Sequence, residues 1–153
     1  MEHTFLMEAG RWRLVGNWLE RAGMPIPIQG KTIIAWNQGD WFTMVTKLVF
    51  VGSQALPATP SEITLQYRGR LAAGERQYTF LLQHSQLGKI EGEGWVAPAS
   101  IVQRYWVLGD RDRRSGFETI HRLTANQYYL SSGMMAGHYL INTMEATLDR
   151  QLN

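Results

Sequence analysis

Turn-forming residues recur at short intervals along this chain, and the runs between them are rich in residues that favour strands. The clearest turn signal is Asn37-Gln38-Gly39-Asp40, and others fall at Ala73-Gly74-Glu75 and Gly109-Asp110-Arg111-Asp112. Gly, Asn and Asp supply the backbone conformations that tight turns need, whereas β-branched and aromatic residues suit a pleated, half-buried surface. This spacing predicts an all-β domain whose consecutive strands are joined by short turns.

We predict about ten strands. Several alternate between apolar and polar residues, so that one face points inward; in the first strand Trp12, Leu14 and Gly16 share that face. The predicted strands lie near residues 10–20, 28–36, 41–51, 61–71, 76–85, 89–97, 100–108, 115–123, 127–133 and 138–149. Two longer connections, 21–27 and 52–60, carry four of the five prolines, and loops of this kind commonly surround a binding mouth.

The last segment, residues 138–152, fits two kinds of structure. Apolar residues recur there at the four-residue spacing of a helix, but Met144, Ala146 and Leu148 also alternate with polar residues as in a strand. We favour the strand, because the first strand needs a partner if the sheet is to have no open edge.

The whole chain, 1–153, is predicted to form one antiparallel up-and-down barrel of about ten strands. Ten short strands leave two exposed edges unless the sheet closes on itself, and about eight strands already enclose room for side chains or one small ligand. A two-sheet sandwich is the alternative architecture.

The composition narrows the classes of function. The chain is 44% hydrophobic and 18% charged, which is typical of a globular protein, and its net charge of +2 is too small to indicate nucleic-acid binding. It has no cysteine, which excludes disulfides, thiolate zinc sites and a cysteine nucleophile, and favours a reducing, cytoplasmic compartment. We find no signal peptide and no run of about 20 apolar residues that could span a membrane.

The triplet Gly10-Arg11-Trp12 at the start of the first strand resembles the G-x-W motif of lipocalin-like (calycin) barrels. The resemblance implies that Trp12 plugs one end of the barrel and that a basic residue near the end of the last strand, here Arg150, packs over it. It also implies a pocket for a small ligand, although the chain lacks a clear T-D-Y segment and a C-terminal helix.

Two further segments carry a narrower resemblance. Arg104-Tyr105-Trp106, together with the run from Arg114 to Thr119, resembles intracellular barrels that load bilin chromophores onto light-harvesting proteins. This resemblance implies a bilin-lyase-like activity.

The second half of the chain carries the mixture of aromatic and polar residues that a pocket needs. Arginine can bind a carboxylate through two hydrogen bonds, and tryptophan and tyrosine can stack on a flat ring. Two phases fit the seventh strand: either Gln103 and Tyr105 point inward, or Arg104 and Trp106 do. Our candidate ligand-binding residues are Trp36, His84, Arg104, Tyr105, Trp106, Glu118, His121 and Tyr129. The alternative is that they are ordinary cross-strand pairs on a solvated surface.

No local motif identifies a metal, a cofactor or a catalytic residue. The four histidines are too far apart in sequence to form a metal motif, so we predict no metal site. Gly92 and Gly94 form part of a G-x-G-x-x-A pattern, but no helix follows that could hold a pyrophosphate. On strand phase the two glycines face the interior, where they leave room for a ligand or a large neighbouring side chain.

Three functions are compatible with these sequence features. The first is an intracellular carrier or chaperone for a small apolar or flat-ring molecule, with or without a carboxylate. The second is an isomerase, cyclase or lyase in the same barrel, including a bilin-lyase-like enzyme. The third is a packed barrel that acts as a protein-interaction module. The sequence leaves a homodimer open and names no ligand.

Overall fold

The computed structural model describes residues 2–52 and 61–152 and is an all-β barrel with no helix in that part of the chain. Its ten strands are β1 (Gly10–Glu20), β2 (Ile26–Asn37), β3 (Trp41–Phe50), β4 (Glu62–Arg70), β5 (Gln77–His84), β6 (Gly88–Val96), β7 (Ser100–Val107), β8 (Arg114–Thr124), β9 (Gln127–Ala136) and β10 (Tyr139–Arg150). Accordingly, no helix within the described ranges is long and apolar enough to cross a membrane.

Each strand pairs antiparallel with the next, and β10 pairs with β1 to close the barrel. Trp12 lies opposite Arg150 in this closing pair, and Gly16 lies opposite Ala146. The predicted up-and-down barrel of ten antiparallel strands is confirmed, and the described residues do not form a sandwich. Residues 139–150 are a strand, as predicted, because the edge of β1 takes its backbone hydrogen bonds from them.

The strand boundaries differ from the prediction by a few residues. β2 begins at Ile26, so the last two residues of the predicted connection 21–27 belong to the strand. β9 continues to Ala136 rather than ending at 133, because it pairs with both β8 and β10 along its length. Of the other predicted connection, residues 53–60 lie outside the described residues.

The side chains follow the predicted alternation closely. Apolar residues of each strand point into the barrel and polar residues point out, as in β5, where the even-numbered residues from Tyr78 to His84 are buried. In β7 the structure selects the phase with Gln103 and Tyr105 inside. The inner faces form one continuous hydrophobic core.

One end of the barrel, which we call the plugged end, is filled by the residues before β1. Phe5 packs edge-on against the Trp12 ring, with a centroid distance of 5.3 Å, and both side chains are buried. The Arg150 guanidinium lies 5.9 Å from the centroid of the Trp12 ring. The arrangement implied by the lipocalin resemblance is therefore present.

The opposite end carries the connection 21–25, the turns 85–87 and 137–138, and the loop 108–113. The ends of β3 and β4 that flank 51–61 lie there as well. Several inward residues near this end, among them Trp18, Val107 and Asn142, remain partly exposed, whereas Trp12 and Tyr128 at the plugged end are fully buried. We call it the open end, because these inward side chains are less covered than those at the plugged end.

Candidate functional site

Four aromatic rings lie against the inner wall of the barrel, each across a glycine of the next strand. Phe42 lies over Gly69, Phe80 over Gly92, Tyr78 over Gly94 and Tyr105 over Gly116, and each ring faces its register partner. A Cβ atom on any of these glycines would collide with the ring. The glycines therefore let bulky side chains lie flat along the wall instead of pointing across the lumen.

A hydrogen-bonded row of polar side chains runs around the interior at one level. Tyr78 reaches across Gly94 and donates its hydroxyl proton to Gln103 Oε1 at 2.7 Å. Gln103 Nε2 then donates to Glu118 Oε1 at 3.2 Å. Gly94, Gln103 and Glu118 are successive register partners on β6, β7 and β8, so this row follows directly from strand pairing.

Glu118 is the acidic residue at the centre of this row. Its side chain is 9% exposed, and burial raises its pKa to about 7, while the hydrogen bond from Gln103 acts in the opposite direction. Oε2 has no hydrogen-bond partner among the described residues. Among the described residues, Trp12 Nε1 is the only side-chain nitrogen or oxygen that is both unpaired and fully enclosed. Glu118 Oε2 is unpaired but is not fully enclosed, so it must be reachable from the lumen.

Two tyrosines face the same carboxyl group. Burial is the main cause that raises the pKa values of Tyr67 and Tyr105, and the negative charge of Glu118 raises both further. Their hydroxyl groups stay protonated at neutral pH and have no partner in the described parts of the chain. The interior thus offers two O–H groups and one carboxyl oxygen to anything that enters.

The lumen beside Glu118 is not fully filled by the protein. Ser132 points inward in the middle of β9 and Tyr105 points inward two residues before the end of β7, yet both remain partly exposed. Trp18, in the same register row as Glu118 and Ser132, and Leu65, opposite His84, are also partly exposed. Because inward residues at mid-strand are normally sealed, this exposure marks an accessible space between Glu118 and the open end.

Four of the eight predicted site residues face the interior. Tyr105 and Glu118 lie in the central space, and His84 lies at its open end. Trp36 is at the plugged end, where its Nε1–H donates to the Leu6 carbonyl oxygen at 2.8 Å. The structure therefore brings Tyr105, Glu118 and His84 to one side of the lumen and separates Trp36 from them.

The other four predicted site residues lie on the outer wall. Arg104 contacts Glu93 with an N–O distance of 3.8 Å, and its guanidinium lies 5.4 Å from the centroid of the Trp106 ring. His121 is exposed. Tyr129 donates its hydroxyl proton to Glu145 at 2.9 Å. All four sit in the opposite phase of their strands from Tyr105 and Glu118, and so cannot reach the lumen.

Three interior polar residues, Tyr67, Tyr78 and Gln103, were missing from the predicted site. Gln103 could have been predicted to face the interior because it is two residues from Tyr105 on the same strand. Tyr78 could have been predicted from Gly92 and Gly94 on β6, which leave room for a large side chain of the neighbouring strand. Gly92 and Gly94 do face the interior, as predicted, and the space they leave is taken by the rings of Phe80 and Tyr78. Within the described ranges, no group of three His, Asp or Glu residues is placed to hold a metal ion.

Two solved structures share this architecture. The S-type phycobiliprotein lyase CPES from Guillardia theta superposes with a TM-score of 0.66 at 14% sequence identity, over 95% of this chain and 89% of that chain. Rv2717c from M. tuberculosis superposes with a TM-score of 0.69 at 15% identity, over 94% of this chain and 92% of that chain. At these identities the similarity establishes the fold, and the predicted lipocalin-like barrel is confirmed.

No protein-family model matches the sequence. No curated protein sequence matches it either.

Proposed function

We propose that this protein binds one small apolar or flat-ring molecule in the open half of its barrel, as an intracellular carrier or chaperone. The observation that carries the proposal is Glu118, a buried carboxyl group that has one oxygen unpaired and directed to an accessible lumen. A buried carboxyl oxygen without a partner costs free energy in the folded protein, and a ligand that donates a hydrogen bond to Oε2 would recover that cost.

The walls around Glu118 define the kind of molecule that fits. Phe80, Tyr105 and Leu65 offer aromatic and aliphatic surface, on which a flat ring can stack. The Tyr67 and Tyr105 hydroxyl groups can each donate to an acceptor on the ligand. This is the composition of a typical small-molecule site: mostly apolar, with a few polar groups that fix orientation.

The test uses the neutral fluorescent dye N-phenyl-1-naphthylamine, which becomes bright in apolar surroundings. We expect saturable binding to the wild-type protein. Ser132 faces the lumen beside Glu118, whereas its neighbour Ser131 points outward, so Ser132→Phe fills the space and Ser131→Phe does not. Dye binding should be lost in Ser132→Phe and retained in Ser131→Phe, with circular dichroism confirming that both variants fold.

Equal binding by the two serine variants would place the dye outside the lumen and overturn the proposal. Absence of dye binding, together with a bare polypeptide mass in native mass spectrometry of gently purified protein, would instead favour a packed barrel that acts through its outer surface.

A second candidate function is acid–base chemistry on the bound molecule, including a bilin-lyase-like reaction. A carboxyl group whose pKa is raised to about 7 is populated in both protonation states at neutral pH, as a general acid or base requires. One structural neighbour is named as a phycobiliprotein lyase. Incubation with a phycobilin should then give a bound chromophore whose absorption changes in Glu118→Gln and not in Glu91→Gln, an outward acid on β6. An identical spectrum with and without protein would exclude this function.

A further inference from the structure

Two nitrogen-bearing side chains lie on inward faces near the open end of the lumen, away from the Glu118 row. His84 is the last residue of β5 and continues the inward face of Tyr78, Phe80 and Leu82. Arg114 is the first residue of β8 and continues the inward face of Gly116 and Glu118. Strand register carries Leu82 of β5 across to Ile90 and Val107, so His84 at the end of β5 and Arg114 at the start of β8 lie at the same end of the barrel, three strands apart. The charge of Arg114 acts on the His84 ring across this distance.

The backbone fixes which nitrogen of His84 carries the proton. Nδ1 accepts hydrogen bonds from the N–H groups of Gln86 and Leu87, at 3.0 and 3.2 Å. Nδ1 is therefore unprotonated, and the neutral ring must carry its proton on Nε2. Nε2–H has no partner in the described part of the chain, so His84 offers one fixed, unused donor at the mouth of the barrel.

Asp110 fixes the orientation of Arg114. The Arg114 Nε and Nη2 atoms donate to the two oxygens of Asp110 at 2.8 and 2.9 Å, and the Arg114 backbone N–H also donates to Asp110 Oδ2 at 2.8 Å. The Asp110 side chain is 8% exposed and that of Arg114 is 29% exposed, so the guanidinium is partly open to solvent. The Nη1 atom is not used in the pair, and it remains available as a charged donor.

We propose that His84 and Arg114 form a subsite for an anionic group, a carboxylate or a sulfonate, at the end of the ligand nearest the open end. This inference rests on the proposed function, because it assigns the ligand's second polar end. Two unused N–H donors on inward faces at the same end of the barrel, one of them charged, match the chemistry that an oxyanion needs. Two acids act on Arg114: Asp110 directs both of its oxygens to the guanidinium, and the negative charge of Asp112 acts on it as well.

The two polar sites also set the length of the ligand. Arg114 and Glu118 are four residues apart on one strand, which corresponds to roughly 13 Å along β8. The ligand is therefore an elongated amphipathic acid, with an apolar or aromatic body along the wall and a hydrogen-bonding group near Glu118.

The experiment compares two dyes that share one body. N-phenyl-1-naphthylamine is neutral, and 1-anilinonaphthalene-8-sulfonate is the same ring system with a sulfonate. In Arg114→Gln we expect the affinity for the sulfonate to fall about tenfold, with the affinity for the neutral dye unchanged within about twofold. Arg104→Gln removes an outward arginine on β7 and should change neither. Ser132→Phe should abolish binding of both dyes.

Asp110→Asn should change the affinity for the sulfonate in the opposite direction. A gain in affinity cannot be explained by loss of folding, so this variant controls for that explanation. Asparagine keeps a side-chain oxygen for the Arg114 N–H groups but removes the neutralising charge, so the sulfonate should bind several times more tightly while the neutral dye binds as before. A sulfonate-to-neutral affinity ratio that is unchanged in both Arg114→Gln and Asp110→Asn would overturn the anion subsite and leave the lumen proposal standing. Failure of both dyes to bind the wild-type protein would overturn the two proposals together.

Discussion

The phenol ring of Tyr78 lies across Gly94, its register partner on β6, and its hydroxyl group reaches Gln103 on β7 at 2.7 Å. A side chain therefore spans a whole strand because that strand has no side chain at the crossing point. The same geometry places Tyr105 across Gly116. The polar row that ends at Glu118 depends on these glycine positions as much as on the polar residues themselves.

Gly94→Ala should destabilise the protein by about 2 kcal/mol, because the added methyl group collides with the Tyr78 ring and forces it off the wall. The displaced ring would also break its hydrogen bond with Gln103. Urea unfolding followed by tryptophan fluorescence measures the change in the free energy of unfolding. Gly10→Ala is the control, because the nearest atoms to its Cβ lie at an ordinary 3.8 Å. Equal stability changes in the two variants would contradict the explanation.

The fold could be predicted from the sequence because strand alternation and turn residues are local signals. The inward faces of β1 and β5 can be read from residues two apart, and closure follows from the cost of an unpaired edge. The ambiguous segment at 138–152 was resolved by the same argument. Of the apolar residues at the helical spacing, Met144 and Leu148 lie on the inner face of β10, whereas Leu140 and Leu152 are exposed, so the spacing does not mark one buried face.

The site could be predicted only in part because it forms through register between distant strands. β7 carries aromatic and polar residues on both faces, and a shift of one residue exchanges Tyr105 for Trp106. The chemistry of Arg104 and Trp106 suits a pocket, but their phase places them outside. The structure settles the phase because only Tyr105 has a glycine, Gly116, opposite it to accommodate the ring.

Tyr128→Phe should lower the free energy of unfolding by about 1–3 kcal/mol. His3 Nε2–H donates to the Ala97 carbonyl oxygen at 2.6 Å, so His3 Nδ1 accepts from the Tyr128 hydroxyl at 2.9 Å. The same hydroxyl oxygen accepts the Thr4 backbone N–H at 3.0 Å. Removing it leaves these buried groups at the plugged end without a partner. Thermal or urea unfolding gives the measurement.

Tyr129→Phe is the matched control for that prediction. Tyr129 is the next residue of β9 but points outward, and its hydroxyl bonds Glu145 in solvent, where its loss should change stability by less than about 0.5 kcal/mol. Binding of N-phenyl-1-naphthylamine should be unaffected in both variants, since neither residue lines the open half. A loss of unfolding free energy in Tyr129→Phe that exceeds the loss in Tyr128→Phe would contradict the role of the Tyr128 hydroxyl in holding the N-terminal segment.

Arg150→Met should destabilise the protein by about 1 kcal/mol by removing the cation over the Trp12 ring. Methionine keeps most of the apolar cover, so the change isolates the charge. Arg13→Met, on the outward face of β1, is the comparison variant. Unfolding in urea at low and high salt separates this contact from the exposed ion pair of Arg150 with Glu8, which salt weakens. An unchanged free energy of unfolding in Arg150→Met would show that the guanidinium lies over the Trp12 ring without stabilising the fold.

Two buried titratable groups should give opposite pH dependences of stability that overlap. Burial raises the Glu118 pKa from 4.5 to about 7, so the folded protein holds a proton that the unfolded chain releases, and stability falls as pH rises from 4.5 to 7. Burial, together with Arg114, lowers the His84 pKa from 6.5 to about 4, so stability falls as pH drops from 6.5 to 4. Each effect is on the order of 3 kcal/mol. The wild-type protein should therefore show a nearly flat profile between pH 4.5 and 6.5.

Single substitutions should separate the two contributions. Glu118→Gln removes the first, so its free energy of unfolding should rise as pH increases from 4.5 to 6.5. His84→Asn keeps an acceptor for the Gln86 and Leu87 N–H groups but cannot be protonated, so its stability should fall over the same range. Hydrogen bonds with Arg114 lower the pKa of Asp110 to about 2. Asp110 therefore loses its stabilising charge only below this pH range. Urea unfolding at the two pH values measures all three proteins. If the three proteins show the same dependence of unfolding free energy on pH, water reaches both side chains freely. Burial disfavours the charged form of each group, and it is the main cause of the raised Glu118 pKa and the lowered His84 pKa.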